Sequence, residues 1–290
     1  FSKLKNGVKT LLVPYLAWNT IVFALAIGWA IYLYYSRGEI NHLLNQLTSI
    51  TGWLKPYWAQ SFYGPITNVL GQEFYIWFPY NGPFWFIRDL MGMCIASPLI
   101  YLIIRYTKVW GLIALAIALY FFAWIHIPGF GIEAFTYFSV GAYFSIHRKN
   151  IVEEAQKVKV PFYILSVIAF CLAVYGLPTI GIFNLSRAAT LLFVLTGSTS
   201  AINLVVYLLN HNIVKANTQL AKSSFIVFAA HGLLLGLMNP AFEYIFSLDS
   251  IPLYILKFFF IPLSISAICV LLYYVIIRHF PRLAVILVGS

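Results

Sequence analysis

The sequence predicts an all-α integral membrane protein, a polytopic bundle of about eight transmembrane helices, and three observations carry the prediction. Hydrophobic residues make up 62% of the 290-residue chain and charged ones only 9%, where an ordinary globular domain carries about 25% charged residues. The mean hydropathy is +0.87, and the apolar residues gather into runs long enough to span a bilayer, roughly 20 residues each. The 18 lysines and arginines collect in alternate segments between those runs, the pattern that marks cytoplasmic loops. Residues 1–290 read as a single transmembrane domain.

Taken in order, the spans are expected at about 11–34, 83–104, 109–126, 130–146, 161–182, 187–209, 223–239 and 251–277. With the N-terminus in the cytoplasm, the inner segments hold Lys3, Lys5, Lys9, Arg105, Lys108, Arg148, Lys149, Lys157, Lys159, Lys215, Lys222, Arg278 and Arg282. Arg37, Lys55, Arg88, Arg187 and Lys257 fall to the outer half. Both termini then face the cytoplasm. This topology accounts for the formal net charge of +10, and no nucleic acid is expected as a partner. Phe1–Thr10 is basic and leads into the first span without a cleavable signal pattern. Pro14 falls in the first turn of that span, where a missing N–H is tolerated. The lysines before it mark topology and attract anionic membrane lipid at about 1 kcal/mol each. Lys5 and Lys9 are also candidates for a basic rim that attracts a phosphorylated donor.

Residues 36–82 form the longest outer segment. Ile40, Leu43, Leu44, Leu47, Ile50, Trp53 and Leu54 recur at spacings of three and four. This is the stripe of an amphipathic helix lying in the interface and stopped by Pro56. Aromatic residues from Trp53 to Trp85 crowd the same boundary as a belt, and among them Trp85 is a candidate for stacking on a sugar face. His126, Glu133 and Arg187 fall at outer ends of spans, as solvated interfacial groups or as substrate contacts. Cys94, Cys171 and Cys269 lie in apolar runs without metal-type spacing and read as small core residues; no metal is expected.

Two stretches carry charge or a titratable group inside the apolar runs. Gly82-Pro83-Phe84-Trp85-Phe86-Ile87-Arg88-Asp89-Leu90 opens the second span and places Arg88 and Asp89 within it. A charge at the centre of a spanning helix costs about 2.5–3.5 kcal/mol on insertion scales. It is retained against a partner charge or along a wet cavity. Arg88 and Asp89 therefore either neutralise each other and fix packing or belong to a polar site. His231 lies in the seventh span, six residues past Phe225, or about 9 Å along a helix. That count puts it in the inner half of the bilayer, with Arg88 and Asp89 about 9 Å below the outer edge. In a core about 30 Å thick the two sites would differ in depth by roughly 12 Å, bracketing a polar path without a direct bond.

Several of these stretches together resemble the membrane-bound acyltransferase type 3 family, in its branch that O-acylates bacterial surface glycans. They are the basic run before Leu-Leu-Val-Pro-Tyr-Leu-Ala-Trp at 11–18, the stretch Pro83 to Leu90 with Ser97-Pro98-Leu99 after it, and Ser223 to His231. Phe138 to Tyr143 is a fourth, weaker match. The resemblance implies a ten-helix fold of which this chain lacks the first two helices, and with them the family's arginine and base histidine. It implies transfer of an acyl group, acetyl in the family's usual chemistry, from cytoplasmic acyl-CoA to a hydroxyl of a surface polysaccharide or lipid-linked sugar, in the bacterial inner membrane. Acyl-CoA is then a co-substrate and no cofactor is implied. Arg88 would hold an acyl or sugar oxygen, Asp89 would orient it, and His231 would position the donor or aid proton transfer. Two alternatives remain: a non-enzymatic transporter or export protein for a glycan intermediate, and a truncated acyltransferase without activity. No internal repeat relates residues 1–145 to 146–290, and such repeats are common in transporters.

Overall fold

The computed structural model describes residues 8–39, 42–60, 67–69, 72–180, 183–246 and 250–289. The described residues are predominantly helical, as expected of an all-α membrane protein. Contacts divide it into two units: Phe1–Cys94 with His126–Phe130 and Asn217–Ser290, and Ile95–Ile125 with Gly131–Ala216.

In the first unit, a π-helical turn at Val8–Leu12 leads into α1, Val13–Arg37. Pro14 sits in the first turn of α1, where no intrahelical N–H is lost. α1 ends at Gly38, whose φ of 67° gives the left-handed cap that lets its N–H reach the Tyr34 carbonyl. Two short helices follow, α2 at His42–Gln46 and α3 at Ile50–Trp58. The expected single amphipathic helix is thus broken, because the Ser49 side chain caps a new start by accepting from the Gly52 N–H. Pro56 does not stop α3, which continues to Trp58, the Ala59 N–H bonding to the Lys55 carbonyl. The stripe divides accordingly. Leu43 is buried, with Leu44 and Leu47 beside it, against Phe23 and Ala30 of α1, while Ile50 and Leu54 stay exposed. Ile40 lies outside the described residues. Farther along, Trp53 and Tyr57 meet the Phe23 ring edge-on, and the Tyr15 hydroxyl donates to the Tyr57 carbonyl. The segment therefore runs back along α1.

A small antiparallel hairpin, β1 at Thr67–Val69 and β2 at Gln72–Phe74, precedes a 3-10 turn at Gly82–Phe84 and α4 at Trp85–Thr107. α4 passes from the first unit into the second at Cys94.

The second unit contains α5 at Val109–Phe122, α6 at Ile132–Ile146, α7 at Ile151–Lys157, α8 at Lys159–Tyr175, the two-residue strands β3 (Thr179–Ile180) and β4 (Phe183–Asn184), and α9 at Leu185–Asn210. α7 and α8 meet at 80°. Pro161 explains the break: its missing N–H and its ring both fall on the carbonyl of Lys157, four residues earlier, where α7 stops. The Asn203 amide of α9 donates to the Ala155 carbonyl of α7 at 2.9 Å, joining the two.

The first unit is completed by α10 at Thr218–Ile245, α11 at Ile251–His279 and α12 at Pro281–Val288. α12 turns back onto the start of α1, where the Trp18 indole donates to the Leu287 carbonyl at 3.0 Å. The core here is built from Tyr15, Trp18, Phe84, Ile226, Ala229, Ile265, Cys269 and Tyr273, among others.

All eight predicted spans exist as helices, but not all are long enough to cross a membrane. Five are: Thr10–Arg37, Gly82–Thr107, Leu185–Asn210, Thr218–Ile245 and Ile251–His279. The bent pair α7–α8 is a sixth if it counts as one span. α5 and α6, with 14 and 15 residues, reach about 21–22 Å, short of a hydrocarbon core of about 30 Å. Of the three cysteines expected in the core, only Cys269 is buried; Cys94 and Cys171 are exposed on their helices, as thiols small and apolar enough for a lipid-facing surface can be.

Candidate active site

The start of α4 is held by two polar networks, one on each side of a short wall of chain. On the C-terminal side are Arg88 and Asp89, each 4% exposed. Arg88 Nε donates to Asp89 Oδ1 at 2.8 Å, and Arg88 Nη1 donates to the carbonyls of Trp58 and Trp77 at 2.8 and 3.0 Å. The guanidinium carbon lies 6.0 Å from the centre of the Trp58 ring, within cation–π range. Asp89 Oδ1 also accepts the Gly129 N–H at 2.9 Å. That contact needs glycine twice. Gly129 has φ +87°, and a Cβ on Gly92 would lie 1.8 Å from the Gly129 carbonyl oxygen. The network thus clamps the end of α3, the extended segment before Gly82 and the turn His126–Phe130 onto one turn of α4.

On the N-terminal side, Asn19 of α1 is fully buried and Asn81 is 3% exposed. The Asn81 N–H donates to Asn19 Oδ1 and its side-chain amide to the Ala229 carbonyl of α10, both at 3.0 Å. The preceding extended residues are also paired: Phe78 exchanges backbone hydrogen bonds with Gln60 at 2.7 and 3.0 Å. Burial pushes the Tyr80 phenol above its ordinary range, so it stays protonated.

Between these networks lies a pocket of about 550 Å³ lined by Phe78, Gly82, Pro83, Trp85, Phe86, Phe228 and His231. Among the described residues, His231 is its one titratable lining group. His231 Nδ1 lies 2.7 Å from the Phe228 carbonyl and 3.2 Å from that of Val227. A carbonyl oxygen only accepts, so Nδ1 carries a proton. The rest of the described lining is aromatic, proline or glycine. α10 approaches closely here: a Cβ on Gly232 would sit 3.2 Å from both Cγ and Cδ of Pro83.

The expected depth difference between His231 and the charged pair is corrected by this pocket. α10 begins at Thr218, five residues before Ser223, so His231 is 13 residues, or about 20 Å, from its start and near its midpoint. It shares a pocket with Trp85 and Phe86, one turn before Arg88 and Asp89. Of the other candidates, His126 is half-buried in the turn that Asp89 holds through Gly129. Glu133 and Arg187 belong to the second unit. Glu133 lies in the first turn of α6, and Arg187 Nη1 donates to the Tyr120 carbonyl at 3.0 Å. Lys5 and the side chain of Lys9 lie outside the described residues. Asn19, Asn81, Phe78 and Phe228 are site residues that charge and motif spacing did not single out.

Fold and site together define a class: a polytopic helical membrane protein with a histidine-bearing aromatic pocket beside a buried ion pair. The family follows from comparison with known proteins. The acyltransferase 3 family model, described as an acyltransferase domain, matches residues 1–276, and the chain belongs to that family. It is a membrane acyltransferase in the general sense. No curated protein and no solved structure matches the chain.

Proposed function

We propose that the protein moves an acyl group, acetyl in the simplest case, from acyl-CoA to a hydroxyl of a surface polysaccharide or lipid-linked sugar, at the pocket that His231 lines. The observation that carries this reading is the state of the imidazole. Its Nδ1–H is committed to the Phe228 carbonyl, which leaves Nε2 as the ring nitrogen for whatever occupies the pocket. An imidazole oriented by such a bond suits proton transfer.

The chemistry balances with the groups present. Nε2 takes the proton of the acceptor hydroxyl as its oxygen bonds to the thioester carbonyl carbon. The carbon–sulfur bond then breaks, and the imidazolium returns the proton to the leaving thiolate, so CoA departs as a thiol. Trp85 offers an aromatic face for a sugar ring. Arg88 and Asp89 act by holding Trp85 and Phe86 in place, since both charges are spent on protein partners. The basic residues at the inner ends of the spans favour a donor carrying phosphates, which fits an inner-membrane protein with both termini in the cytoplasm.

The test is release of CoA thiol by the protein in lipid nanodiscs, with acyl-CoA and a glycoside acceptor. Acceptor-dependent thiol release, lost in His231→Gln, is the expected result. A His231→Gln protein that turns over at the wild-type rate would remove His231 from the mechanism.

A further inference from the structure

We propose that Asn81 is a positioning residue of this pocket: it fixes the wall Gly82–Phe86 at the distance from His231 that transfer requires. The proposal rests on reading the pocket as the transfer site. Asn81 spends its polar groups in three directions. Its N–H goes to Asn19 Oδ1 and its side-chain amide to the Ala229 carbonyl, both at 3.0 Å. Its carbonyl accepts the Phe84 N–H at 2.9 Å, closing the 3-10 turn. Asn19 is itself fixed, its amide donating to the Tyr15 carbonyl at 2.8 Å. One residue therefore joins α1, α10 and the start of α4.

The placement is what gives these bonds a functional meaning. Gly82 and Pro83, the next two residues, line the pocket, and Ala229 lies two residues before His231 on the same helix. The bond from Asn81 to Ala229 is thus a direct tie between the wall and the stretch of α10 that carries the imidazole. Burying two amides in an apolar bundle is costly unless each is paired, and the return on pairing them is a defined geometry. Displacing reacting groups by about 1 Å costs on the order of a hundredfold in rate.

The test uses Asn81→Asp, which keeps shape but removes the amide donor, and Asn81→Ser, which shortens the side chain. Two readouts are taken on the protein in nanodiscs: steady-state CoA release, and the rate at which diethyl pyrocarbonate modifies His231 relative to the exposed His279, read by mass spectrometry. With thermal unfolding unchanged, kcat is expected to fall about 10- to 100-fold while KM for acyl-CoA stays within about twofold, and the His231 modification rate changes. A folded variant with wild-type kcat and wild-type modification rate overturns the proposal. Loss of fold in both variants also overturns it, because Asn81 would then serve stability alone. If the wild type transfers no acyl group but the modification rate still changes in the variants, the tie between wall and imidazole stands and the transferase reading falls. The two ideas fail separately.

Discussion

The Arg88–Asp89 cluster and the His231 pocket sit a turn or two apart and use polar groups in opposite ways. In the cluster the polar groups face inward to protein: two carbonyls and a carboxylate take the guanidinium, and the carboxylate also takes a backbone N–H. In the pocket one nitrogen of the imidazole is tied to a backbone carbonyl, and the residue lines an open, largely aromatic cavity. Charge inside a bilayer is commonly taken as a sign of chemistry. Here the charged pair is a clamp, and under the proposed function the imidazole is the group that reacts. Uncommitted hydrogen-bonding capacity, rather than charge, separates the two.

Removing one side of the clamp tests this most severely. Asp89→Ala leaves a guanidinium buried without its counter-ion and orphans the Gly129 N–H, and is expected to cost about 3–5 kcal/mol. Unfolding in denaturant or by heat reads it, and a variant of wild-type stability would show that the pair is not a clamp. His231→Gln should do the reverse, cutting acyl transfer by about 10²–10⁴-fold while the same unfolding curve stays put. If stability falls instead, the imidazole belongs with the structural groups and the contrast collapses. Gly232→Ala is a subtler probe, because the new methyl lies 3.2 Å from Pro83. It should cost about 1 kcal/mol or less in stability and raise KM several-fold by pushing the wall, measured by steady-state kinetics. The smallest effect is expected at the half-exposed pair Lys257–Glu243, 2.5 Å apart across α10 and α11. Glu243→Gln should change stability by about 1 kcal/mol at most and leave turnover alone, marking the background against which the others are read.

Much of this was legible in the sequence. The five long spans follow from apolar runs that no soluble domain contains, and Arg88, Asp89 and His231 stood out as titratable groups within them. What sequence could not give was which of these groups would be satisfied. The partners of Arg88 are main-chain carbonyls of Trp58 and Trp77, and every residue has a carbonyl, so no side-chain pattern points to them. Asn19 and Asn81 were readable in principle as amides in or beside apolar runs, since polar side chains join membrane helices. They were overlooked because a search for charge passes over neutral groups. The depth assigned to His231 failed for a local reason: Asn217 caps α10, so the helix starts before the expected span at 223–239, with Asn217 accepting from the Gln219 and Leu220 N–H groups. Hydropathy likewise reported α5 and α6 as apolar but not that each would end after about four turns.

The pairing of Trp18 with Leu287 joins residues 269 positions apart. As the nascent chain enters the membrane, α1 is released well before α12. Until α12 is made the indole therefore lacks its acceptor, and the flank of α1 that α12 later covers stays open to lipid or to an insertion chaperone. Closure of this unit is thus timed by the arrival of α12 rather than by the insertion of α1.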